Sequence, residues 1–176
     1  MSLSSEKNEA YQSSEFQENL EILRETYLFS GLPMETLKVL AYIGTRETYK
    51  QGEYLFRQGD DDGQAFYILS GELRLVRTTD ESGEQTMRDY DSGQFLCGIA
   101  LLGKMHRLFS LKALTDVTCL ILSREKFGST MERFPELMPK IIKSVAEKIS
   151  AWEERLLVSR AESCETCRQN IGVSLL

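Results

Sequence analysis

Hydrophobic patterning changes period twice along the chain. From Asn8 to Tyr27, Phe16, Leu20, Leu23 and Tyr27 recur at spacings of four, three and four, with Glu15, Glu18 and Glu21 on the other side. That period predicts a surface helix docked by one face on a core or a partner. Residues 1–7 are small, polar and serine-rich, and are expected to be disordered. Leu28–Pro33 breaks the pattern, and Glu35–Ile43 predicts a short amphipathic helix that turns Leu37, Leu40 and Ala41 inward.

From Thr45 to Leu122 the period shortens to that of strands. The best strand candidates are Tyr54–Phe56, Ala65–Leu69, Glu72–Arg77, Gln85–Tyr90, Ser110–Leu114 and Val117–Leu122. Gly59, Gly63, Gly71, Gly83 and Gly93 stand where tight turns require positive φ, and Asp80–Glu84 reads as a hairpin tip. Many short strands at this spacing predict a compact barrel, roll or sandwich.

Helical signals return at Ser123, a cap for a helix that carries Phe127, Met131 and Phe134. Pro135 restarts the chain, and Pro139 is tolerated within the first turn of a new helix. There Met138, Ile142, Val145, Ile149, Trp152 and Leu156 follow at spacings of 4, 3, 4, 3 and 4. That heptad seam predicts self-pairing about a two-fold axis; packing of the same face on the chain's own β region is the alternative.

Composition narrows the class. The chain has 176 residues, 41% apolar and 27% charged, as expected for one soluble core with peripheral helices. The net charge of −6 argues against non-specific binding to nucleic acid or to an anionic membrane. No stretch reaches the roughly 20 apolar residues of a membrane span, and no cationic start leads into an apolar run. Four cysteines are too few for a disulfide scaffold, so a cytoplasmic protein with reduced thiols is expected.

The most informative stretch is glycine-punctuated: Gly52, Gly59-Asp60, Phe66-Tyr67-Ile68-Leu69 and Gly71, followed by Gly98-Ile99-Ala100-Leu101-Leu102-Gly103-Lys104-Met105-His106-Arg107. Over roughly residues 28–157 the chain resembles the cyclic-nucleotide-binding domain of catabolite-activator-type regulators and kinase regulatory subunits. The resemblance implies a mainly β fold: an eight-stranded β-roll or jelly roll with N-terminal helices and a long C-terminal helix. It also implies four segments: a tail and helix at 1–27, the roll at 28–134, a dimerisation helix at 135–160 and a polar tail at 161–176.

In that family a short turn reading Phe-Gly-Glu-x-Ala-Leu-Leu, then Pro-Arg-Ala-Ala, holds the ligand phosphate. Ala100-Leu101-Leu102 matches its Ala-Leu-Leu, which brings Arg107 onto the family's arginine without a gap. An arginine fork and free amides suit one phosphate negative charge. The resemblance therefore implies a ligand site of Gly98, Ile99, Ala100, Arg107 and Leu108, with cyclic AMP or cyclic GMP as the ligand. The family's glutamate for the ribose 2′-hydroxyl falls at Gly98, its preceding glycine at Cys97, its aromatic at Leu96, and its small residues after the arginine at Leu108 and Phe109.

The family's C-terminal helix dimerises and caps the base. Trp152 is placed near the capping position, although its place on the seam equally explains it as interface. About nineteen residues follow Leu157, too few for the DNA-binding domain of the transcription regulators. Cys164 and Cys167 have a spacing seen in zinc and redox sites, but no second pair follows. A single histidine, His106, leaves no triad for catalysis. The leading expectation is a non-enzymatic sensor that binds a cyclic nucleotide or similar anion at Arg107 and signals through its last helix to an unknown downstream protein. The alternatives are a ligand-free dimerisation or interaction module on the same fold, and a metal or redox protein built on Cys164 and Cys167.

Overall fold

The computed structural model describes residues 3–81 and 83–160, with side chains described over 13–155 apart from 82. Helix α1 (Leu3–Glu25) starts at Leu3, five residues earlier than the apolar period predicts. Serine and glutamate suit a helix's first turns, so a polar start does not by itself argue disorder. Leu20 and Leu23 are buried and Phe16 and Tyr27 half-buried in one cluster, as their spacing requires. Helix α2 (Met34–Ile43) buries Leu37, Leu40 and Ala41 against the same cluster.

Eight strands follow: β1 (Thr45–Tyr49), β2 (Tyr54–Phe56), β3 (Gln64–Ser70), β4 (Leu73–Thr79), β5 (Gly83–Tyr90), β6 (Phe95–Leu96), β7 (Ser110–Ala113) and β8 (Val117–Ser123). They form two antiparallel four-stranded sheets, ordered β1-β8-β3-β6 and β2-β7-β4-β5. β1 and the two-residue β6 carry too little apolar pattern to stand out in the sequence.

The alternation along β3 and β8 shows why their sheet is central. Phe66, Ile68, Val117, Cys119 and Ile121 point between the sheets and meet Leu55, Phe56, Leu73, Leu111 and Ala113. Ala65, Tyr67, Leu120 and Leu122 point the other way and meet the helices. A strand buried on both faces reads as a near-continuous apolar run, and Val117–Leu122 does so apart from Thr118. Gly71 closes the β3–β4 turn at φ +89°, and a Cβ there would lie 2.4 Å from the Asp116 carbonyl oxygen. Only glycine meets both demands.

Helix α3 (Arg124–Arg133) is capped by Ser123, whose Oγ accepts from the Lys126 amide at 3.4 Å. A 3₁₀ turn, Pro135–Leu137, leads into α4 (Met138–Arg160), with Pro139 in the first turn where its missing donor costs nothing. The core anchors of this segment are Leu137 and Ile141, both buried and neither on the heptad seam. Seam residues Met138 and Val145 are half-buried against the helical cluster, whereas Ile142 and Trp152 are 57% and 47% exposed. The Leu156 side chain lies outside the described residues, as do Cys164 and Cys167. One edge of α4 therefore meets the domain, and the seam straddles that edge and open solvent.

Candidate functional site

The candidate site forms where β6 leaves its sheet. Cys97 takes φ +63°, in the left-handed region, and Gly98–Leu101 winds into a 3₁₀ turn. A non-glycine residue there is uncommon and costs strain of order 1 kcal/mol. It also accounts for the family pattern in physical terms, since Cys97 occupies the conformation that the family's glycine would adopt freely. The amides of Gly98 and Ile99 open the turn, where no intrahelical acceptor exists. The Ala100 amide does not join them, because it donates to the Cys97 carbonyl at 2.9 Å.

Gly98 is more than a missing acid. A Cβ at this position would lie 2.6 Å from Phe95 Cε1 and 3.1 Å from Leu28 Cδ2. The Phe95 ring is itself held edge-on between Tyr27 and Phe29, with centroids at 6.1 and 5.5 Å. We expect Gly98→Glu to destabilise the domain by about 1–3 kcal/mol through overpacking. Thermal denaturation checks this, and an unchanged midpoint would show that Phe95 yields freely.

Arg107 is buried, with 7% of its surface exposed. Its Nε donates to Asp62 Oδ2 at 3.0 Å, and its Nη2 donates to Asp62 Oδ1 and, at 2.6 Å, to the Gln64 carbonyl. The guanidinium carbon stands 4.2 Å from the centroid of Phe56, a cation–π geometry. Its backbone is fixed as well: the amide donates to the Asp60 carbonyl, and its own carbonyl accepts from Gly59. The fork is thus engaged by a carboxylate and a carbonyl and backed by a ring face.

The turn Gly59–Asp62 acts as a clasp across the site. Asp60 Oδ2 accepts from the Arg57 amide at 2.7 Å, and Asp61 pairs with Arg124 at the start of α3. That hydrogen bond holds the Asp61 carboxyl below its usual range. Arg124 Nε also donates to the Ala100 carbonyl at 3.0 Å, tying the 3₁₀ turn to α3. His106 Nδ1 lies 3.0 Å from the Gly59 carbonyl oxygen. Asp61, Asp62, Arg124 and Phe56 carried no functional signal in the sequence beyond the Asp60-Asp61-Asp62 run beside the Gly59 turn, and Phe56 stood out only as part of a strand.

A cavity of about 290 Å³ opens in front of this assembly, lined by Phe56, Leu75, Tyr90, Cys97, Ile99, Arg107, Leu108 and Phe109 among others. Arg107 supplies its fixed charge and the rest is mainly apolar. Leu108 is 70% exposed and leaves the cavity open, while Phe109 stands half-buried in its wall. Burial pushes the Cys97 thiol up to about 11 although Arg107 pulls it down, so it is neutral at physiological pH. Trp152 lines neither this cavity nor the larger one described below.

The model of the family described as the cyclic nucleotide-binding domain matches residues 46–134. The chain belongs to that family. The domain is 31% identical over 150 residues to the cyclic AMP receptor protein of Thermus thermophilus, covering 85% of this chain and 68% of that protein. It is 25% identical over 143 residues to human cGMP-dependent protein kinase 2, covering 80% of this chain but only 19% of the kinase. A solved cyclic nucleotide-binding-like protein from Brucella abortus superposes with a TM-score of 0.60 at 30% identity, over 65% of this chain and 98% of that one. Among the described residues, no helix is long and apolar enough to cross a membrane.

Proposed function

We propose that the domain is a regulatory sensor, not an enzyme, that binds a cyclic nucleotide or similar small anion at Arg107. The observation that carries this reading is a buried guanidinium, oriented by Asp62, Gln64 and Phe56, in the wall of a cavity of about 290 Å³. A buried charge held in a cavity wall is costly to maintain without a role. Two relatives add support, one a cyclic AMP receptor protein and the other a cGMP-dependent protein kinase. The phosphate would meet Arg107 in competition with Asp62, which holds the Nε–Nη2 edge here, together with the opening amides of Gly98 and Ile99. No acid stands at Gly98 for the ribose, so affinity falls below that of a complete site by about ten- to a hundredfold.

Ligand binding would bias the pairing of α4, whose exposed Ile142 and Trp152 offer a face for a second copy. Met138, Val145, Ile149 and Leu156 complete that seam, and a downstream protein reads the outcome. Calorimetric titration with cyclic AMP and cyclic GMP tests the ligand. Saturable heat that disappears in Arg107→Lys is expected, as is about 2.7 kcal/mol of added stability at 100 times the dissociation constant. No heat at millimolar nucleotide, with a dimer still present by sedimentation, would favour a ligand-free interaction module on the same fold.

A further inference from the structure

A second cavity, of about 580 Å³, lies outside the roll between α1, the β5–β6 edge and α4. It is twice the size of the cavity at Arg107 and falls within the range of small-molecule sites. Tyr90 and Leu96 line both cavities and form the partition between them.

Its charge departs from that of the whole chain. The protein carries −6, yet Arg88, Lys148 and Arg155 line this cleft with Glu25 as the opposing carboxylate. Arg88 comes from β5 and Lys148 from α4, so positive charge enters from two walls. The Arg88 guanidinium carbon lies 5.1 Å from the Tyr90 ring centroid, and Lys148 Nζ lies 4.6 Å from that of Tyr27. A ring face steadies a cation without using a conventional acceptor, so the N–H donors stay available to an anion. Like charges gathered along one concave surface add their positive potentials there.

We propose that this cleft binds a small molecule carrying a diphosphate group, which bridges Arg88 on the roll to Lys148 on α4. Two linked phosphates place negative charge toward both walls at once. The bound molecule would clamp the middle of α4 to the roll, beside the seam positions Val145, Ile149 and Trp152 and apart from Arg107. The proposal does not rest on the Arg107 reading, and either can fail alone.

The probes are inorganic pyrophosphate and ADP, titrated calorimetrically into the full chain at constant ionic strength, with orthophosphate as the control. One saturable site per chain is expected for pyrophosphate, with orthophosphate weaker. Arg88→Ala and Lys148→Ala should each weaken it by about tenfold, while Lys148→Arg and Arg107→Lys retain it. Arg88 and Lys148 are exposed, so folded variants are expected, and their circular dichroism melts should match the parent. Tighter binding of ADP than of pyrophosphate would assign the diphosphate to a nucleotide; equal affinity would assign it to the bare group. The proposal is overturned if pyrophosphate shows no saturation up to about 5 mM, if either alanine variant binds like the parent, or if Arg107→Lys abolishes binding.

Discussion

Replacing Arg107 with alanine should cost about 3 kcal/mol of folding stability and abolish anion binding at its cavity. The substitution strands Asp62, which keeps only 20% of its side-chain exposure, and removes a donor from the Gln64 carbonyl. It also uncovers Phe56, over which the guanidinium stacks. Breaking a buried pair from one side typically costs about 3–5 kcal/mol, and partial hydration of Asp62 sets the lower end. In a chain of this size that lowers the thermal midpoint by roughly 6–12 °C. Urea denaturation of the parent, Arg107→Ala, Asp62→Asn and the double variant measures the coupling directly. A loss under about 1 kcal/mol would mean that the pair is effectively solvated.

The same cycle separates structure from binding. Asp62→Asn leaves Arg107 its charge, the Gln64 carbonyl and the Phe56 face, but removes the anion that competes with a ligand. We expect it to lower stability yet tighten anion binding by about tenfold. Weaker binding in Asp62→Asn would instead make the carboxylate an essential orienting group.

The second large effect separates two adjacent isoleucines. Ile141 is fully buried in the helical cluster, whereas Ile142 is 57% exposed. Ile141→Ala should therefore cost about 3 kcal/mol through lost burial and a residual cavity, and Ile142→Ala close to nothing in an isolated chain. Sedimentation should show the reverse dependence: Ile142→Asp or Ile149→Asp yields monomers with an intact core. A dimer that survives both aspartate variants would move the interface away from this seam.

The helices around the roll show how far periodicity carries. The 3.6-residue spacing of Phe16, Leu20, Leu23 and Tyr27 identified the docking face of α1, because side chains four and three apart share one face. Turn glycines located the strand ends, since Gly59, Gly63, Gly71, Gly83 and Gly93 all take positive φ. The heptad along α4 was equally visible, but which of its residues face this chain was not. That depends on where Leu137 and Ile141 enter the cluster, a matter of tertiary placement.

Arg107 was legible through the family resemblance, since matching Ala100-Leu101-Leu102 to the family's turn brings it onto the family's arginine without a gap. Its company was not, because Asp62 and Gln64 lie more than forty residues away and reach it only when β3 lies beside the turn. The same holds for Arg124, which joins the Asp61 turn to the Ala100 carbonyl across three separate segments. The cleft of Arg88, Lys148 and Tyr27 had no linear trace at all.

From residue order alone came the periods, the turns and the capping serine, because each depends on neighbours a few positions apart; the arginine came through the family resemblance. The folded chain alone decided that the guanidinium is clasped by an aspartate, that Phe95 walls the space beside Gly98, and that a cationic cleft opens in an acidic protein. Those features arise from groups far apart in the chain whose meeting is set by how the two sheets and four helices pack.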